Sequence, residues 1–170
     1  FIRGETMAKE TIVIGLGNPL MADEGIGVVL IERLEALARE GKIPGTDRIQ
    51  FYDGGTGGLN LLHVLAGRRK AVLIDCARMG TEPGTIRRFT PDQVQTIKQL
   101  THLSLHEVDI LKVLDISRQL DECPNEVVFF GIEPLEIRQR MSLSPLLHAQ
   151  IPHYLQTLLR ELSLSSDLDS

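Results

Sequence analysis

A short apolar run, Thr11-Ile12-Val13-Ile14, stops at the block Gly15-Leu16-Gly17-Asn18-Pro19-Leu20-Met21-Ala22-Asp23-Glu24-Gly25-Ile26-Gly27. An apolar-periodic segment follows, with Val28, Val29, Ile31, Leu34, Leu37 and Ala38. The run is brief, β-branched and ended by glycine, which predicts a buried strand; the periodic segment predicts a helix. A strand, a bent glycine loop and a helix start carrying two adjacent acids are thereby placed in one stretch. A dinucleotide fingerprint would need a third glycine where Leu20 stands, and the lysine of a phosphate loop is missing. Asp23 and Glu24 would also repel a phosphate, so the loop suits a cation or a proton better.

The rest of the chain repeats the strand-helix alternation. The first helix is expected over about Glu24 to Glu40, closed by Gly41. A second strand, Ile49 to Asp53, ends in Gly54-Gly55-Thr56-Gly57-Gly58, and a short helix over about Leu59 to Gly67 follows. The third strand, Lys70 to Cys76, is continuously apolar until Asp75, as expected of a central strand covered on both faces. Thr85 to Phe89 alternates and predicts an edge strand. Pro91 opens a short helix, a long helix runs from the Thr101 to Glu107 region to about Leu120, Glu126 to Gly131 is the fifth strand, and Pro145 to Leu162 is the last helix. This alternation predicts an α/β fold: a three-layer αβα sandwich around a mostly parallel, doubly wound five-stranded sheet.

With 170 residues the chain is expected to form one domain over 11–162, with 1–10 an N-terminal extension and 163–170 a flexible tail. The formal charge of −5 and the lack of a Lys/Arg run argue against nucleic acid. No apolar run approaches the ~18 residues of a membrane span. Two cysteines without a CxxC pattern, and no visible signal peptide, give a cytoplasmic expectation.

In open α/β sheets, ligands sit outside the carboxyl ends of the strands. There the chain delivers Asp23 and Glu24, Asp53, Asp75, His106 and Glu133. Each has a structural alternative. Asp23 is a good helix N-cap, Glu24 a first-turn acid, Asp53 a turn acid bonding loop amides, and His106 an ordinary surface or core histidine. Asp75 ends an apolar strand, where burial would disfavour its charge unless a cation or donors hold it. Glu24, Asp75 and His106 together form an oxygen-oxygen-nitrogen set, better matched to a borderline divalent metal such as zinc or nickel than to calcium. Cys76 has no histidine beside it in sequence and reads as a small buried apolar residue.

The glycine block, Asp53-Gly54-Gly55-Thr56, Asp75, His106, Gly131-Ile132-Glu133-Pro134, Leu143-Ser144-Pro145 and Ile151-Pro152 occur in an order that resembles the hydrogenase maturation endopeptidases. The resemblance covers about Thr11 to Leu162. It implies an aspartyl-protease-like hydrolase that trims the C-terminal peptide from the large-subunit precursor of a nickel–iron hydrogenase. It acts after nickel insertion, with the bound nickel as the recognition feature. It also implies Glu24, Asp75 and His106 as the metal-contacting residues and Asp53 as a residue near the site. The nickel is the substrate's, and another divalent metal is expected to occupy the site in isolation. Leu105 stands where relatives often have proline. Peptidyl-tRNA hydrolases also begin with a strand and Gly-Leu-Gly-Asn-Pro, but continue with a Thr-Arg-His-Asn segment carrying the catalytic histidine where this chain has Ala22-Asp23-Glu24-Gly25, so that base is absent here.

Hydrolysis then needs a base for water. Asp23 or Asp53 is the catalytic candidate, and activation by the metal is an equal alternative. The expected partner is the hydrogenase precursor, with no nucleic acid and no membrane, and the expected state is a monomer. A non-catalytic metal chaperone or client-binding module with the same three ligands is the alternative function.

Overall fold

The structure, a computed structural model, describes residues 9–100 and 105–164, and the side chains of 9–95 and 110–163. Among the described residues, five strands form one sheet: β1 Thr11–Leu16, β2 Ile49–Gly55, β3 Lys70–Cys76, β4 Ile86–Phe89 and β5 Glu126–Ile132. Five α-helices among the described residues connect and flank them: α1 Ile26–Arg39, α2 Leu61–Leu65, α3 Pro91–Leu100, α4 Leu105–Gln119 and α5 Pro145–Leu164. The strand order is β2-β1-β3-β5-β4. All pairs are parallel except β4 with β5, which is antiparallel.

The apolar content of β1 and β3 follows from their position. Both lie inside the sheet, and every residue of each is buried. Alternation along the strands then divides the core in two. Val13, Val72, Ile74, Val128 and Phe130 pack under α1 and α5, with Leu30, Leu34, Ile151 and Leu158. Ile12, Ile14, Leu73 and Phe129 pack on the other face, with Leu61 and Leu65 of α2 and Ile110 and Leu114 of α4. These are the three layers expected from the sequence, and β4 is the edge strand that its alternation predicts.

Local differences have local causes. The first helix does not begin at Glu24: a 3-10 turn over Ala22–Gly25 precedes α1. The second helix shrinks to Leu61–Leu65, because Gly57 and Gly58 hold positive φ before it and Gly67 after it. Pro152 sits inside α5 without ending it.

From β1 the chain steps to β2 on one side, then returns to β3 on the other. The order thus reverses between β1 and β3, and the crevice outside their carboxyl ends is where sheets of this kind bind ligands.

Candidate active site

Both sides of that crevice carry acids. Glu24 lies in the 3-10 turn after β1 and is half-buried; Asp75 is the penultimate residue of β3 and 6% exposed. The glycines explain how the first turn comes so close to the sheet. A Cβ at Gly27 would lie 2.3 Å from the Leu16 carbonyl oxygen and 2.5 Å from that of Ile74, so only glycine lets α1 start directly over β1 and β3. Gly17 has φ +134°, and a Cβ there would lie 1.9 Å from the Glu24 carbonyl oxygen. The turn carrying Glu24 therefore rests on the backbone of the loop below it.

Burial pushes the Cys76 thiol up, and the negative charges of Asp75, Glu24 and Asp23 push it further, against the opposing pull of Arg78. The charges of three carboxylates, two from the turn after β1 and one from β3, thus bear on one buried sulfur. The thiol stays protonated and matches the small apolar residue expected from the sequence, packed in the core beneath α1 and α5.

Asp75 also lines a small apolar cavity of about 30 Å³, together with Leu16, Phe89, Val94, Ile110 and Phe129. Ile110 belongs to α4, and His106 stands four residues earlier on the same helix. The His106 side chain lies outside the described residues. Among the described residues, no three His, Cys, Asp or Glu side chains are grouped so as to hold a metal ion. Glu24 and Asp75 are the described members of the set expected from the sequence, and the side chain of the third, His106, lies outside what the structure describes.

Asp23 and Asp53 are placed differently. Asp53 is exposed on β2, at one edge of the sheet, where its Oδ1 accepts the Gly55 N–H at 2.9 Å, the turn-acid arrangement. It pairs with Gly15, and Gly15 pairs with Ile74, so strand alternation sets Asp53 and Asp75 toward opposite faces.

Asp23 does not cap a helix. The turn's N-cap is Met21, α1's is Gly25, and neither has a side-chain capping bond. The Asp23 carboxylate is 0% exposed and reaches across the chain instead. Oδ2 accepts the N–H of Leu135 (2.9 Å) and Glu136 (3.0 Å) and the Ser144 hydroxyl (2.9 Å), and Oδ1 accepts the Ser144 N–H (2.7 Å). Glu133 is likewise a loop anchor, its carboxylate accepting the N–H of Met79 (2.8 Å) and Thr81 (3.1 Å).

Ser144 is the participant that sequence reasoning missed. Its signal was present: serine before Pro145 at a helix start is an N-cap signature, and its Oγ accepts the Leu147 N–H at 3.3 Å. Nothing in the sequence pairs it with an acid 121 positions earlier.

A doubly wound sheet with acids at the carboxyl-end crevice is the frame within which the comparisons with known proteins fall. The model of the hydrogenase maturation protease family matches residues 28–161. The chain belongs to that family. It is 32% identical over 155 residues to the hydrogenase expression/formation protein HupD of Rhodobacter capsulatus, covering 91% of this chain and 71% of that one. It is also 32% identical to HupD of Bradyrhizobium diazoefficiens, over 74% of this chain and 63% of that one; the chain spans less than two thirds of that relative's length. The solved hydrogenase-maturating endopeptidase HybD from E. coli superposes with a TM-score of 0.80 at 28% identity, covering 92% of this chain and 93% of that one. Among the described residues, no helix is long and apolar enough to cross a membrane.

Proposed function

We propose that this protein is an endopeptidase that removes the C-terminal peptide of a nickel–iron hydrogenase large-subunit precursor after nickel insertion, and that it recognises the nickel. The observation carrying the proposal is the placement of Glu24, in the turn after β1, and of the buried Asp75, at the end of β3, on the two neighbouring strands between which the strand order reverses. Family membership supports the reaction class.

In this reading Glu24, Asp75 and His106 take up open coordination sites on the precursor's nickel, and that grip orients the adjoining peptide. The two oxygens and one nitrogen are donors that a borderline divalent ion accepts. His106 stands at the start of α4, the helix whose Ile110 lines the cavity that Asp75 also lines. In the hydrolysis, a base takes one proton from water, the water oxygen adds to the scissile carbonyl carbon, and the amine leaves with a proton. Of the two carboxylates expected as that base Asp53 is the exposed one, but it faces the opposite side of the sheet from Asp75, and water on the nickel is the other source of nucleophile.

The test is intact-mass measurement on precursor with and without nickel. Only the nickel-loaded precursor should lose a C-terminal segment. Asp75→Asn should slow the cut by about 100-fold or more, the loss that misplacing a reacting group brings. Full processing by Asp75→Asn would remove the metal grip. Tight binding with no change in precursor mass would favour a non-catalytic client-binding module.

A further inference from the structure

We infer that Asp23 is the positioning residue of this site rather than its base: by clamping the segment after β5, it sets where Glu24 presents its carboxylate. The inference rests on the proposed role of Glu24 as a contact to the precursor's nickel.

Three observations lead to it. First, Asp23 is sealed from solvent, with 0% exposure, and accepts four hydrogen bonds from three residues of the 135–144 segment. A carboxylate has about four acceptor sites, so little remains for a water to be activated. Second, the clamp is continued by the backbone on either side. Ala22 N–H donates to the Arg140 carbonyl at 2.8 Å, Asp23 N–H to that of Glu136 at 3.2 Å, and Arg140 N–H to that of Leu20 at 2.9 Å. Met21 and Arg140 also form a parallel bridge. Third, Ala22 has φ +51°, a left-handed conformation that alanine does not choose by itself. Such a residue persists only where its surroundings over-determine it, and the clamp supplies that determination.

Glu24 is the next residue. Its N–H donates to the Met21 carbonyl at 3.2 Å, and its own carbonyl sits where a Cβ on Gly17 would be. The peptide of Glu24 is thus held from below by the glycine loop and from the side by the clamp. The chemistry of the clamp requires an acceptor-only group. In Asp23→Asn an amide N–H₂ would face either the Ser144 N–H or the donors gathered on Oδ2, setting donor against donor.

The experiment is a double-mutant cycle on the full chain with nickel-loaded precursor. It reads both the single-turnover cutting rate and the Kd for Asp23→Asn, Glu24→Gln and the pair. Asp23→Asn alone should weaken processing about 10- to 100-fold, the usual cost of losing a group that orients a metal ligand. In the Glu24→Gln background it should cost less than about 2-fold, because what it positions is already gone. A merely structural role, or a role as base, predicts that the two losses multiply, and that result would overturn the inference. Should Asp23→Asn not fold, Ser144→Ala keeps the carboxylate and removes one donor. Its loss should likewise vanish in the Glu24→Gln background and be recovered by Ser144→Thr. A loss that persists there, or no loss at all, counts against the clamp. Wild-type protein that leaves the precursor uncut would defeat the proposed function and this inference together, whereas normal cutting with multiplying losses defeats this inference alone.

Discussion

Tyr154 is a single residue whose chemistry is set by its neighbours. It is fully buried on α5, and its hydroxyl donates to the Gly84 carbonyl at 2.7 Å. Burial first, and the Asp23 charge second, push that hydroxyl up to about 12 from its ordinary 10. Because the folded chain favours the neutral phenol, the contribution is intact below about pH 10 and is lost as the pH rises toward 12. Tyr154→Phe should lower stability by about 1 kcal/mol at neutral pH, the net worth of one hydrogen bond. It should also flatten the decline between pH 10 and 12. Urea midpoints across that range check both, and an unchanged alkaline decline would assign it to another group. The sequence places Tyr154 on the inner stripe of a helix, but its dependence on Asp23 comes only from the fold.

At the scale of elements, the start of α1 is held by crowding and its end by conformation. Gly17 and Gly41 both have positive φ. At Gly41, a Cβ would meet nothing within 4 Å. Gly41→Ala should therefore cost only the left-handed penalty, about 1 kcal/mol. At Gly17 a Cβ would sit 1.9 Å from the Glu24 carbonyl oxygen, so backbone must move. Gly17→Ala should cost about 3 kcal/mol and impair precursor processing as well. Denaturant midpoints and the processing assay together separate the two; equal stability losses would mean that the loop yields easily. Both glycines are visible in the sequence as bend residues. Which of them carries the acid's backbone is decided by packing.

At the scale of the molecule, the end of the sheet away from the crevice is tied by charge. Lys70, 3% exposed at the start of β3, meets Glu161 of α5 at 3.0 Å, and Arg88 of β4 reaches Glu161 at 2.9 Å. Glu126 of β5 completes the group at 3.6 Å from Lys70. Burial pushes the Glu161 carboxyl up, but the hydrogen bonds from Arg88 and Lys70 outweigh it and hold the carboxyl below its ordinary value. A depressed carboxyl contributes stability above the unfolded value, about 4.3, and loses it as the pH falls through the folded one. Glu161→Gln should cost about 3 kcal/mol at pH 7, because Lys70 stays buried without its nearest carboxylate. The variant's acid decline should be shallower than the wild type's, as read by urea midpoints at pH 7 and pH 4. A loss under 1 kcal/mol would reduce the cluster to surface ion pairing. This network had no sequence signal, since its members belong to four elements spread over 91 positions.

The sequence by itself determined the order of strands and helices, the burial of β1 and β3, the edge character of β4, and the placing of polar residues at the carboxyl ends. These follow from periodicity and glycine position, which act over a few residues and are written locally. Only the tertiary structure decided that Asp23 clamps the 135–144 segment, that Asp53 stands exposed on an edge strand, and that Ser144 and Glu133 anchor loops. A carboxylate's role depends on which donors reach it and whether water does, and the donors to Glu133 and Asp23 arrive from chain 52 to 121 positions away.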